Sequence, residues 1–200
     1  MKILALRALT LLAFTTVKKS PWFSGRIIYH NEFQNAAGET LTSNLGPESW
    51  HYYQGNSYKI YTGDKKMREL YVGKTRTLLA FIDGKTTPYA DTARHHEELL
   101  IRQLPTTATI LGYRCHAVRL TRGSRSSIVF FAAELRVNPR GFSNYPAGYW
   151  HALLTATKGA LPLRNITIDS EKGYTMTLEA TSVQPMLLDD RNFMAAAPAE

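Results

Sequence analysis

Cysteine is nearly absent from this sequence: Cys115 stands alone among 200 residues, so no internal disulfide can form. It also lies far from the N-terminus, where the lipid-bearing cysteine of a lipoprotein would stand. No uninterrupted apolar run approaches the roughly 20 residues that a membrane-spanning helix needs. A phosphate-binding glycine loop, a G-x-S-x-G elbow, a C-x-x-C pair and a dinucleotide-binding glycine fingerprint are all missing. The common enzyme classes therefore lose their signatures, and the expectation is a non-enzymatic protein without cofactor or metal. Repeats, low-complexity tracts and linkers are missing too, which leaves a single domain.

Acidic residues are absent from the first twenty positions, which carry Lys2, Arg7, Lys18 and Lys19. The formal net charge of +8 is concentrated there; the remaining 20 basic residues face 16 acidic ones. An excess of four charges favours solubility and does not call for nucleic acid. Lys2 precedes an apolar stretch over residues 3–17, interrupted by Arg7 and threonines, and residues 1–20 read as an export signal. No small-x-small cleavage triplet precedes Ser20, so an uncleaved anchor or a short buried helix are the alternatives. Residues 21–200 then form the domain, with a frayed tail from Ala195.

Hydrophobic content of 44% and charged content of 20% suit a folded globule. Turn signals about every ten residues predict a meandering antiparallel sheet. Gly55-Asn56 predicts a two-residue hairpin turn that sets Tyr53 opposite Tyr58 and His51 opposite Ile60 on one face. Trp50 then opposes Tyr61 and Tyr52 opposes Lys59 on the other. Residues 91–104, ended by Pro105, predict a helix or an exposed connection. A second hairpin over residues 110–120 and 126–133 with a five-residue loop places Cys115, Ala117, Val129 and Phe131 together. Residues 149–158 read as a short helix stopped by Gly159, and residues 163–170 and 174–183 as a last hairpin.

Ile110-Leu111-Gly112-Tyr113-Arg114-Cys115-His116-Ala117 resembles the signature of the GLPGLI family, exported bacterial envelope proteins of unknown function, in its I-x-G-Y-x-C part. Asn138-Pro139, the stretch Gly159-Ala160-Leu161-Pro162-Leu163, and the closing Val183, Pro185, Leu188-Asp189 and Phe193 follow the same layout. The resemblance implies a periplasmic or outer-envelope location. It also implies a LolA/LolB-like architecture, an α+β, mainly β antiparallel open half-barrel or strongly curved sheet with one or two short helices on one face.

Chemistry-bearing residues have plainer readings. Cys115 between strand neighbours is better read as a small buried side chain than as a nucleophile. His95-His96-Glu97-Glu98 lacks the second zincin histidine, because position 100 is Leu100. Arg114, Arg119, Arg122, Arg125, Arg136 and Arg140 form the densest positive region, suited to lipid phosphates or to edge protection. Asn165-Ile166-Thr167 is a glycosylation sequon.

Aromatic residues gather early: 12 of the chain's 22 fall between Trp22 and Tyr89. The expected ligand wall is therefore one face of the first hairpin, either His51, Tyr53, Tyr58 and Ile60 or Trp50, Tyr52 and Tyr61. Trp150, with Leu154 at helical spacing, is the expected lid. The functional expectation is an exported protein that holds an apolar or amphiphilic ligand, with a lipid, lipoprotein or envelope protein as partner and no nucleic acid. The alternative is a structural adaptor that works through its sheet surface and has no ligand cavity.

Overall fold

The computed structural model describes residues 20–82, 85–88, 98–143, 145 and 148–194. The expected export signal, the His95-His96-Glu97 cluster and the tail from Ala195 lie outside the described residues.

The described strands form one open, wholly antiparallel 11-stranded sheet. β1 (Ser24–Asn35), β2 (Glu48–Gln54), β3 (Ser57–Thr62), β4 (Met67–Val72), β5 (Thr77–Ile82) and β6 (Lys85–Pro88) run outward from the middle to one edge. The chain reappears at the far edge as β7 (Leu100–Ile110). It returns inward through β8 (Tyr113–Arg122), β9 (Arg125–Arg136), β10 (Ala160–Asp169) and β11 (Tyr174–Pro185). β11 pairs with β1 from Gly25↔Pro185 to Asn35↔Tyr174, so the sheet's centre joins the chain's most distant strands.

Alternation explains which side is inward. Ile27, Tyr29 and Asn31 on β1 are buried, as are Ser49, His51 and Tyr53 on β2. Carried across the register, that face includes Tyr58 and Ile60 of β3, Asn165 and Thr167 of β10, and Val118, Leu120, Ser127 and Val129 of β8 and β9. The one described α-helix, α1 (Trp150–Ala156), lies on it. Trp150 packs with Tyr58 and Phe142 on one side and with the Val118, Val129 and Leu153 cluster on the other. In a flat sheet β3 and β9 would stand about 24 Å apart, five spacings of about 4.8 Å. A seven-residue helix is only about 10 Å long. One tryptophan reaches both clusters because the sheet curls around the helix.

The first hairpin has the expected register, Tyr53↔Tyr58, His51↔Ile60, Tyr52↔Lys59 and Trp50↔Tyr61. The second is shifted by one residue. Arg122↔Arg125 closes a two-residue Gly123-Ser124 turn, so Cys115 sits opposite Ala132 and Ala117 opposite Phe130. Val129 and Phe131 face the other way, with Val118 and His116, because a one-residue slip moves every side chain to the opposite face.

The helix expected over residues 91–104 is not formed where it can be judged. Leu100–Leu104 belong to β7, and Pro105 sits in an irregularity between Leu104 and Thr107 on this edge strand, where its missing N–H costs little. Leu111 and Gly112, with φ of 51° and 82°, make the tight β7–β8 turn, which gives the Gly-Tyr-x-Cys stretch its backbone reason.

α1 ends in a Schellman arrangement: the Gly159 N–H donates to the Leu154 carbonyl at 2.6 Å, and that of Lys158 to Thr155 at 3.2 Å. Gly159 has φ of +85°, and a Cβ there would stand 2.1 Å from the Val137 carbonyl oxygen.

Cys115 is fully buried between Ala108 and Ala132 on the neighbouring strands, and burial pushes its thiol pKa up. A thiol reagent is expected to label it slowly in the folded protein and rapidly in denaturant. Equal rates would return it to the reactive class.

Candidate functional site

A cavity of about 400 Å³ opens between two layers. Its floor is the inner face of the curled sheet: His51 and Tyr53 from β2, Tyr58 and Ile60 from β3, Glu69 from β4, and Pro162 and Asn165 from β10. Its roof is the segment that leads into α1, with Tyr145, Gly148, Tyr149, Trp150 and Leu153. The volume lies within the usual range for small-molecule pockets, about 300–1,000 Å³.

The roof is anchored by aromatic packing and by the first hairpin's turn. Phe142, at the end of the 3-10 turn Pro139–Phe142, is fully buried. Its ring lies 5.2 Å from that of Tyr71, 6.3 Å from Tyr58 and 6.3 Å from Trp150. The Tyr71 hydroxyl donates to the Gly141 carbonyl at 3.0 Å. A Cβ on Gly141 would meet the Asn56 side chain at 2.0 Å, so glycine alone allows the turn to seat against the Gly55-Asn56 corner.

Three polar features break the apolar lining. The Glu69 carboxylate accepts from the Tyr58 hydroxyl and, at 2.6 Å, from that of Tyr145. Burial raises its pKa, and the two donors act in the opposite direction. His51 is buried next to the Ser49 hydroxyl at 3.0 Å, and desolvation lowers its pKa to about 3, so the ring is neutral at ordinary pH. The Tyr149 hydroxyl lies 3.1 Å from that of Ser127, which lies 2.8 Å from Thr167, a hydroxyl chain along the inner face. The Trp150 indole N–H is buried beside the cavity without a hydrogen-bond partner.

The expected wall residues fall on two sides. Tyr53, Tyr58 and Trp150 line the cavity together with His51 and Ile60. Trp50, Tyr52 and Tyr61 face the other side, where the Arg26 guanidinium lies 5.0 Å from the Trp50 ring. The Lys59 ammonium lies 5.1 Å from Tyr52 and 5.3 Å from Tyr61. Those cation–π contacts give the outer aromatics a structural role, each worth about 0.5–1 kcal/mol where exposed. In α1 it is Leu153 that lines the cavity; Leu154, expected there, is buried in the core.

Glu69, Tyr145, Tyr149 and Asn165 are lining residues that sequence reasoning did not single out. Tyr145 lies 87 residues from Tyr58, beyond any local pattern. Asn165 is also the first residue of the sequon. It lies on a strand paired on both sides and lines the cavity. Among the described residues no three His, Cys, Asp or Glu side chains converge as metal ligands, and no helix is long and apolar enough to cross a membrane.

No protein-family model matches the chain, and no curated protein does. The GLPGLI resemblance therefore rests on the residues that carry it. Solved structures do match. PNGF-II, in one crystal form, is 18% identical over 87% of this chain and 30% of its own, with a TM-score of 0.51. In a second form the values are 17%, 86%, 29% and 0.53. The likeness is one of fold. This chain spans less than a third of PNGF-II. A LolA superfamily protein from Nitrosomonas europaea is 12% identical over 88% of this chain and 92% of its own, with a TM-score of 0.44.

Proposed function

We propose that this protein is a non-enzymatic, exported envelope protein that holds one apolar or amphiphilic ligand, of the lipid or lipoprotein acyl-chain class, between its curled sheet and α1. The observation that carries the reading is the cavity of about 400 Å³ walled by Tyr53, Tyr58, Ile60, Trp150 and Leu153. Two of its titratable groups are occupied structurally: Glu69 receives two tyrosine hydroxyls, and His51 is neutral beside Ser49. A sheet-surface adaptor has no use for such a space. The basic, acid-free start of the chain supports export.

Paired tryptophan substitutions test the assignment. Trp150→Ala, in the roof, is expected to weaken binding of a fluorescent fatty-acyl probe by tenfold or more, roughly the effect of losing two buried methylenes. Trp50→Ala, on the other face, is expected to leave it within about twofold. Equal effects from the two, or no binding by the folded wild type, would favour the adaptor.

A further inference from the structure

A second cavity adjoins the first at Tyr149. This compartment of about 330 Å³ shares Arg125, Gly148 and Tyr149 with the first and continues along the inner face. Its lining differs in chemistry. Arg122, Arg125 and Lys172 bring three positive charges, and Ser124, Ser127 and Tyr149 bring hydroxyls.

We infer that this compartment takes the anionic head group of the ligand, a phosphate or carboxylate, while the acyl chain occupies the aromatic cavity. The inference deepens the ligand-holding reading and rests on it.

Arg122 and Arg125 are direct cross-strand partners at the β8–β9 turn, on the same face as Leu120 and Ser127. Like charges directly opposite one another destabilise a sheet; Arg125 is balanced on its other side by Asp169, its cross-strand partner on β10, and Arg122 is not. The Arg122 Nε is buried without a hydrogen-bond partner. Two carboxylates share the lining, Asp169 and Glu171. Asp169 is turned to its own corner, accepting from the Lys172 backbone N–H at 2.9 Å and the Ser124 hydroxyl at 3.4 Å; Glu171 accepts from the same hydroxyl at 3.3 Å. The ion pairs among the described residues are Lys66–Asp64, Arg164–Glu179 and Arg191–Asp189. Neither arginine of the turn is in one of them. The two guanidiniums therefore stand at the polar end of an apolar cavity, the order of charge and grease in a single-chain anionic amphiphile.

Calorimetry with three probes tests this: dodecyl phosphate, monododecanoylglycerol and inorganic phosphate. Dodecyl phosphate is expected to bind about tenfold tighter than the neutral probe, the scale of one charge-assisted hydrogen bond. The preference is expected to vanish in Arg122→Gln/Arg125→Gln and to survive in Arg125→Lys. Inorganic phosphate alone is expected to bind far more weakly. Equal affinity for charged and neutral probes would overturn the head-group assignment and leave the acyl cavity standing. Phosphate binding as tight as dodecyl phosphate would make this a free-phosphate site and overturn it as well. Failure of both dodecyl probes to bind the folded wild type would overturn the ligand-holding reading itself.

Discussion

Phe142→Ala is expected to destabilise the protein by about 3–5 kcal/mol, the usual cost of deleting a buried aromatic ring. The ring is fully buried among Tyr71, Tyr58, Tyr145 and Trp150, four rigid aromatic neighbours, so little can collapse into the space. The turn it terminates is held by the Tyr71–Gly141 hydrogen bond and by the close seat of Gly141 on Asn56, which limits relaxation further. A domain with ordinary stability of about 5–15 kcal/mol would keep only part of it. Urea titration should show a lower midpoint with an unchanged slope. A loss below about 1 kcal/mol would mean that the roof is not fixed by this ring.

The second large effect is acid sensitivity from His51. Its folded pKa of about 3 lies below the unfolded value of 6.5, because burial disfavours the charged ring. The unfolded chain therefore binds the extra proton first. The contribution of His51 is complete above pH 6.5 and is lost as pH falls towards 3, at up to about 1.4 kcal/mol per pH unit. Glu69 acts oppositely: its raised folded pKa makes the native state bind a proton more readily, so its term favours folding as pH falls towards 4.5. The two overlap, and the wild-type curve alone mixes them. The gap between wild type and His51→Gln isolates the histidine. It is expected to narrow as pH falls from 6.5 towards 4, and a gap constant with pH would show that the folded ring titrates as it does in the unfolded chain.

Local chemistry made parts of this molecule readable before its structure. Gly55-Asn56 dictates a two-residue turn, and every pair of that hairpin follows from it. At Arg122-Gly123-Ser124 the same reasoning slipped by one residue, because a three-residue polar stretch admits loops of different length. Leu100, Ile101 and Leu104 mimicked a helical stripe, yet they lie on an edge strand where Leu100 and Ile101 remain exposed. The wall aromatics were nameable, but the inward face was not, since both faces of the hairpin carry them. That choice is made by α1 and Phe142, which arrive from more than eighty residues away. Glu69 and Tyr145 form their contact across 76 residues, and no periodicity encodes it.

The central claim is that the space between sheet and helix holds an acyl chain. Its most direct measurement is the affinity of a series of saturated fatty acids for the wild-type protein. Each buried methylene contributes about 0.8 kcal/mol, so the dissociation constant should fall about fourfold per carbon until the cavity is full, then level off. Affinity that does not change with chain length, or no binding at all in a well-folded preparation, would contradict the account.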